Sequence, residues 1–137
     1  MRVALEMAIP NDVAQIERVV ARVVATCADL HVPQRQLHFN VPVALTEALS
    51  NAILYGTNAR VDAQVRVRAV VDDRALVLEV SDDGDGFDLD ACTLDPTSPD
   101  NLMREDGRGI FLMRRLMDRV ERFTKQGNVV RLTLNRP

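Results

Sequence analysis

The stretch VALTEALSNAILYG, Val43 to Gly56, decides how the rest of the chain is read. Its Ala, Leu and Ile content favours helix, and Glu47 and Asn51 stand four residues apart, so their side chains leave one helical face a turn from each other. They converge on one place. Ala44, Leu45, Ala48, Ala52, Ile53 and Leu54 surround them with apolar surface, and a carboxylate and an amide set there need partners. Taken alone, the spacing fits an amphipathic helix with a salt-bridging Glu and a solvated Asn. Two glycine motifs downstream change that balance.

Working outward, the chain upstream begins with a strand, Arg2 to Ile9, closed by Pro10. Asn11 or Asp12 then caps a helix reaching about Leu30, with Val13, Ile16, Val20, Val23, Val24 and Cys27 toward the core and Gln15 placed as in a capping box. Pro33, Asn40 and Pro42 interrupt the helical pattern, which sets the start of the Glu47 helix near Asn40 and its end at Gly56. Downstream, the period changes to two. Val61, Ala63, Val65, Val67, Ala69 and Val71 share one face, and Asp62, Gln64, Arg66 and Arg68 the other, as in a strand covered on one side. Asp72 and Asp73 turn the chain into an antiparallel strand, Ala75 to Ser81. A loop-forming stretch with Pro96, Ser98, Pro99 and Asn101 follows. Gly109 to Val120 has helical spacing, and the last two segments form a hairpin turning at Gln126 and Gly127. The order predicts an α+β fold: a two-layer α/β sandwich, helices on one face of a mixed, mainly antiparallel sheet.

A length of 137 residues suits one hydrophobic core, hence a single domain over 1–137. With 47% hydrophobic and 27% charged residues the composition is that of a globular protein. No apolar run approaches the roughly 18 residues of a membrane span. The amino terminus lacks the apolar core and cleavage site of a secretory signal, so a cytoplasmic location is expected. Cys27 and Cys92 are isolated, which excludes a disulfide framework and a CxxC metal knuckle. A net charge of -3 argues against a direct nucleic-acid partner.

The first glycine motif, Asp82-Asp83-Gly84-Asp85-Gly86, directly follows a strand. It is not an EF-hand loop: counted from Asp83, the sixth position is Asp88 and the twelfth Leu94, where Gly and Glu are required. Neither glycine pair continues as GxGxxG, and GxxxxGK[ST] is absent. The second motif, Gly107-Arg108-Gly109, precedes a helix in this reading. Backbone N–H groups at a helix amino terminus bind phosphate oxygens, and Arg108 adds a positive charge there.

In this order and at these separations, EALSNAILYG, SDDGDGF and GRGIFLM resemble the asparagine box and the two glycine boxes of the GHKL ATPase superfamily, whose nucleotide pocket is the Bergerat fold. Within it the chain is most similar to the anti-sigma-factor serine/threonine kinases. The resemblance covers nearly the whole chain. It implies that Asn51 coordinates Mg²⁺ and that Glu47 deprotonates the attacking hydroxyl. It further implies that Asp82 accepts the adenine amino group, that Gly84 lets the backbone approach the base, and that Gly86 hinges a mobile ATP lid near 87–108. Gly107, Arg108 and Gly109 wrap the phosphates. Tyr55 stands where the family often has histidine, and Pro42 departs from the pattern.

The function so implied is that of an ATP- and Mg²⁺-dependent serine/threonine protein kinase and anti-sigma factor. It would form a homodimer, bind a sigma factor and phosphorylate a STAS-type anti-anti-sigma partner. One alternative is a non-catalytic, ATP-gated binding module. The other, an isolated histidine-kinase ATPase domain, is disfavoured because His31 and His38 lie in a short interrupted segment.

Overall fold

The computed structural model describes residues 2–28, 32–53, 64–82, 105–124 and 128–135. Five strands form one sheet: β1 (Arg2–Pro10), β2 (Gln64–Val71), β3 (Ala75–Asp82), β4 (Arg119–Thr124) and β5 (Asn128–Asn135). Their spatial order is β1-β2-β3-β5-β4, and all four described pairings are antiparallel. Three helices, α1 (Ile16–Cys27), α2 (Val41–Asn51) and α3 (Glu105–Leu116), complete the α+β architecture. The period-two reading of β2 holds: Val65, Val67, Ala69 and Val71 are buried while Gln64, Arg66 and Arg68 are exposed.

The core is the layer between α1, α2 and the sheet. Val19, Val23 and Cys27 from α1 and Val41, Leu45 and Leu49 from α2 pack with Leu76, Leu78, Leu132 and Leu134 from the strands. Asp72 sets the β2–β3 turn, its Oδ1 accepting from the Arg74 and Ala75 amides at 2.8 Å each. Those two bonds hold its carboxyl below the usual aspartate range.

Several boundaries differ from the sequence reading. Asp12 does cap, accepting from the Ala14 amide at 2.9 Å, but the element it caps is a 3₁₀ turn, Val13–Gln15, ahead of α1. Val13 is therefore exposed, and the buried stripe runs through Val19, Val23 and Cys27 with Ile16, Val20 and Val24 at its flanks. The α-helix carrying Glu47 starts as expected, at Val41 with Asn40 in the N-cap position and Pro42 in its first turn, but it continues a helical path that begins earlier. Chain 34–35 is already helical, and a π turn, Gln36–Asn40, leads into α2. The Val41 amide bonds to the Gln36 carbonyl, five residues back. A proline one position later has no N–H and would press on the carbonyl four residues before it, so the wider π register accommodates Pro42 without ending the helix.

The third helix is also displaced. It begins at Glu105, so Gly107, Arg108 and Gly109 lie inside it and not in a turn before it, and 105–108 of the expected lid is helical. Acidic Glu105 and Asp106 suit a first turn. The helix stops at Leu116 because the Asp118 amide turns away to the Thr133 carbonyl at 2.9 Å and the Asp118 Oδ2 accepts from the Asn135 amide. Val120 therefore belongs to β4, opposite Leu132. The expectations for Leu54, Tyr55, Gly56, the start of the second strand at Val61, Gly84, Gly86, the rest of the lid, Cys92, His31 and the turn at Gln126 and Gly127 lie outside the described residues.

Candidate functional site

Glu47 and Asn51 stand one turn apart on α2, the helix most enclosed by its neighbours. It packs against α1, α3, β3 and β5, which leaves no fully solvated side. Glu47 is partly buried, and Asn51 is only 4% exposed. The Asn51 Nδ2 has no hydrogen-bond partner among the described residues. An amide nitrogen buried in that state costs about 1–3 kcal/mol, so its retention in an apolar layer suits a polar ligand that occupies it. Phosphate oxygens of a nucleotide would accept from that Nδ2, and the Oδ1 of the same neutral amide is a suitable oxygen ligand for the accompanying Mg²⁺. The residues present fit that ligand.

The first glycine motif opens at the end of β3. Asp82, its leading residue, is 6% exposed and faces the helix layer in register with Asn128 at the start of β5. Its Oδ1 accepts from the Asn128 Nδ2 at 3.0 Å. The Asn128 Oδ1 in turn accepts from the Arg122 Nη2 at 3.1 Å. Asp82, Asn51 and Asn128 are buried polar groups in a core otherwise made, among the described residues, of Val, Leu, Ile, Ala, Met and Cys27.

The second glycine motif comes to the site through packing. α3 lies against α2, and the Asn40 Nδ2 donates to the Leu116 carbonyl at 2.8 Å, so the front of the Glu47 helix caps the end of the glycine-motif helix. Gly107 and Arg108 fall in the first turn of α3, where the leading backbone N–H groups have no partner within the helix. Helix α2 thus touches both α3 and the strand that ends in Asp82. Asn128 and Arg122 are additions that the sequence reading missed. The signal for Asn128 was present, since period two puts it on the face of Val130, Leu132 and Leu134, where a polar residue is out of pattern.

Comparison with known proteins identifies the family. Residues 8–134 match the family model of the histidine kinase-like ATPase domain. Among curated proteins, the chain is 33% identical over 99 residues to the serine-protein kinase RsbW of Bacillus velezensis, covering 69% of this chain and 62% of the relative. It is 35% identical over 104 residues to RsbW of Bacillus licheniformis, covering 71% and 65%. To the anti-sigma F factor of Clostridium beijerinckii it is 29% identical over 99 residues, covering 71% and 68%. The matched part thus spans a little under two thirds of each of these RsbW kinases. A helix bearing Glu47 and Asn51, an aspartate closing a central strand and a third helix with Gly107 in its first turn pack around one core, and with the family model matched over 8–134 the chain belongs to the histidine kinase-like ATPase domain family.

Proposed function

We propose that this chain binds Mg·ATP and transfers the γ-phosphoryl group to a serine or threonine of a protein partner. The observation that carries this reading is Asn51, buried with an Nδ2 that has no partner among the described residues, one turn from the Glu47 carboxylate, in a chain matching an ATPase family over 8–134. The likeness to proteins named serine-protein kinase and anti-sigma F factor supports the same reading and extends it to the partners. These are a sigma factor held by binding and a STAS-type anti-anti-sigma protein that accepts phosphate, with the chain acting as a homodimer. Among the described residues no helix is long and apolar enough to cross a membrane.

Each side chain has one task in this reaction. Asp82 accepts the adenine amino group, an interaction that a base with a carbonyl at the same position does not offer. Asn51 holds Mg²⁺, which when bound neutralises phosphate charge. The first-turn amides of α3 receive phosphate oxygens, with Gly107 and Gly109 letting the backbone come close. Gly84 and Gly86 belong to the same pocket, approaching the base and hinging the lid, and Arg108 adds charge toward the phosphates. Glu47 accepts the proton of the partner's hydroxyl as its oxygen bonds to the γ-phosphorus and the bond to ADP breaks.

Incubation with Mg²⁺, labelled ATP and candidate STAS proteins tests this. Label is expected on a partner serine or threonine. Glu47→Ala is expected to keep nucleotide affinity within about twofold and lower transfer by at least about 100-fold, whereas Asn51→Ala weakens both binding and transfer. Transfer that survives in Glu47→Ala removes Glu47 as the base. Nucleotide binding without transfer to any partner supports the non-catalytic, ATP-gated module, and phosphate on His31 or His38 supports a histidine kinase.

A further inference from the structure

Building on the ATP-site reading above, we infer that Asn128, backed by Arg122, is a positioning residue that sets purine selectivity by aiming Asp82 at a six-amino group.

The three side chains form a one-directional relay across neighbouring strands. A guanidinium can only donate, so the amide of Asn128 must turn its oxygen to Arg122 and its NH₂ to Asp82. That fixes the amide orientation without reference to any ligand. The Asp82 carboxylate accepts from that amide through Oδ1 at 3.0 Å. Through Asn128 the charge of Arg122 polarises the hydrogen bond to Asp82.

Asn128 is 3% exposed and Asp82 6%, on the sheet face where every other buried strand residue is apolar among the described positions. Buried polar groups in such a place are no more stabilising than well-packed apolar ones, and often less. Their register is nonetheless rigid, because Asp82 and Asn128 are direct cross-strand partners on the two central neighbours β3 and β5, and Arg122 stands on β4 opposite Val130. Locking a recognition carboxylate by partners on rigid strands is how a site discriminates between a donor and an acceptor on its ligand.

The test compares ATP with inosine triphosphate, which carries a carbonyl where ATP carries the amino group, by calorimetric titration in Mg²⁺. Wild type is expected to favour ATP. Asn128→Leu, near-isosteric and apolar, should retain the fold and lower the ATP-to-inosine-triphosphate affinity ratio by about 10-fold or more. Arg122→Met, which leaves Asn128 in place, should lower the ratio in the same sense by about threefold, and it serves where Asn128→Leu does not fold. A ratio unchanged in the folded variants, even if both affinities drop together, marks the relay as merely structural and overturns the inference. Wild-type protein that binds neither nucleotide overturns the ATP-site reading as well.

Discussion

Asn51 holds an amide inside apolar packing, and the two demands on that position pull in opposite directions. Folding favours a side chain without an Nδ2 left unpartnered among the described residues, while the proposed nucleotide site requires the amide. Asn51→Leu is therefore expected to raise the stability of the nucleotide-free protein by about 1 kcal/mol in urea unfolding and to abolish Mg·ATP binding. Cys27 shows burial acting on a group with no role in the site. Its thiol, fully covered in the core, is pushed up from 9.0 to about 11 by desolvation. A raised thiol value means the folded state favours the protonated form. The resulting stability is present below pH 9 and is lost as the pH climbs toward 11. Folded protein at pH 8 should accordingly resist iodoacetamide at Cys27, and the same residue should react at once in urea. Fast modification in the folded state would contradict its burial. The candidate site residues Glu47, Asn51 and Asp82 could be picked out because their spacing is local, i and i+4 on a helix or the last position of a strand. Arg122 was not, because its role depends on register with β5, a pairing that sequence periodicity does not encode.

Helices α2 and α3 meet through a cap that crosses the chain, Asn40 to the Leu116 carbonyl. Removing it in Asn40→Ala leaves a helix-end carbonyl without its donor and should lower stability by about 1 kcal/mol, measured by urea unfolding. ATP affinity should fall as well, since the bond ties the Glu47 helix to the glycine-motif helix. An affinity unchanged at reduced stability would separate the two. The helices were legible in kind but not in their ends. Val120 continues the spacing of Met113, Leu116 and Met117, yet it is equally an inward position of β4, and either assignment covers its side chain. The pattern could not choose between them. Pro42 marks the opening turn of α2 as expected but hides the helical chain ahead of it, because a π turn removes the clash that makes proline a breaker.

Across the whole molecule, the sheet presents two unlike faces. The side away from the helices carries a charge row over all five strands, Glu6, Arg68, Glu79, Arg131 and Glu121, in direct register. Glu79 is its hub, 3.6 Å from Arg68 and 3.1 Å from Arg131, while the Arg131 guanidinium lies 4.5 Å from the centroid of the Phe123 ring. Glu79→Gln should cost about 1 kcal/mol at low salt and distinctly less at 1 M salt, because exposed and half-exposed pairs are screened. A loss that is independent of salt would assign the effect to packing. The period-two pattern made the covered face readable, but the order in which β5 comes between β3 and β4 depends on which strand edge each apolar face can reach, and that follows only from the folded core. The same core brings α2 against both α3 and β3, and the central claim is that this contact gathers Asn51, Asp82 and the start of α3 around a single nucleotide. Calorimetric titration of the folded protein with ATP in Mg²⁺ tests it most directly. One saturable site is predicted, with heat lost in both Asn51→Ala and Asp82→Ala; wild-type protein without saturable heat, or binding untouched by either substitution, would contradict the account.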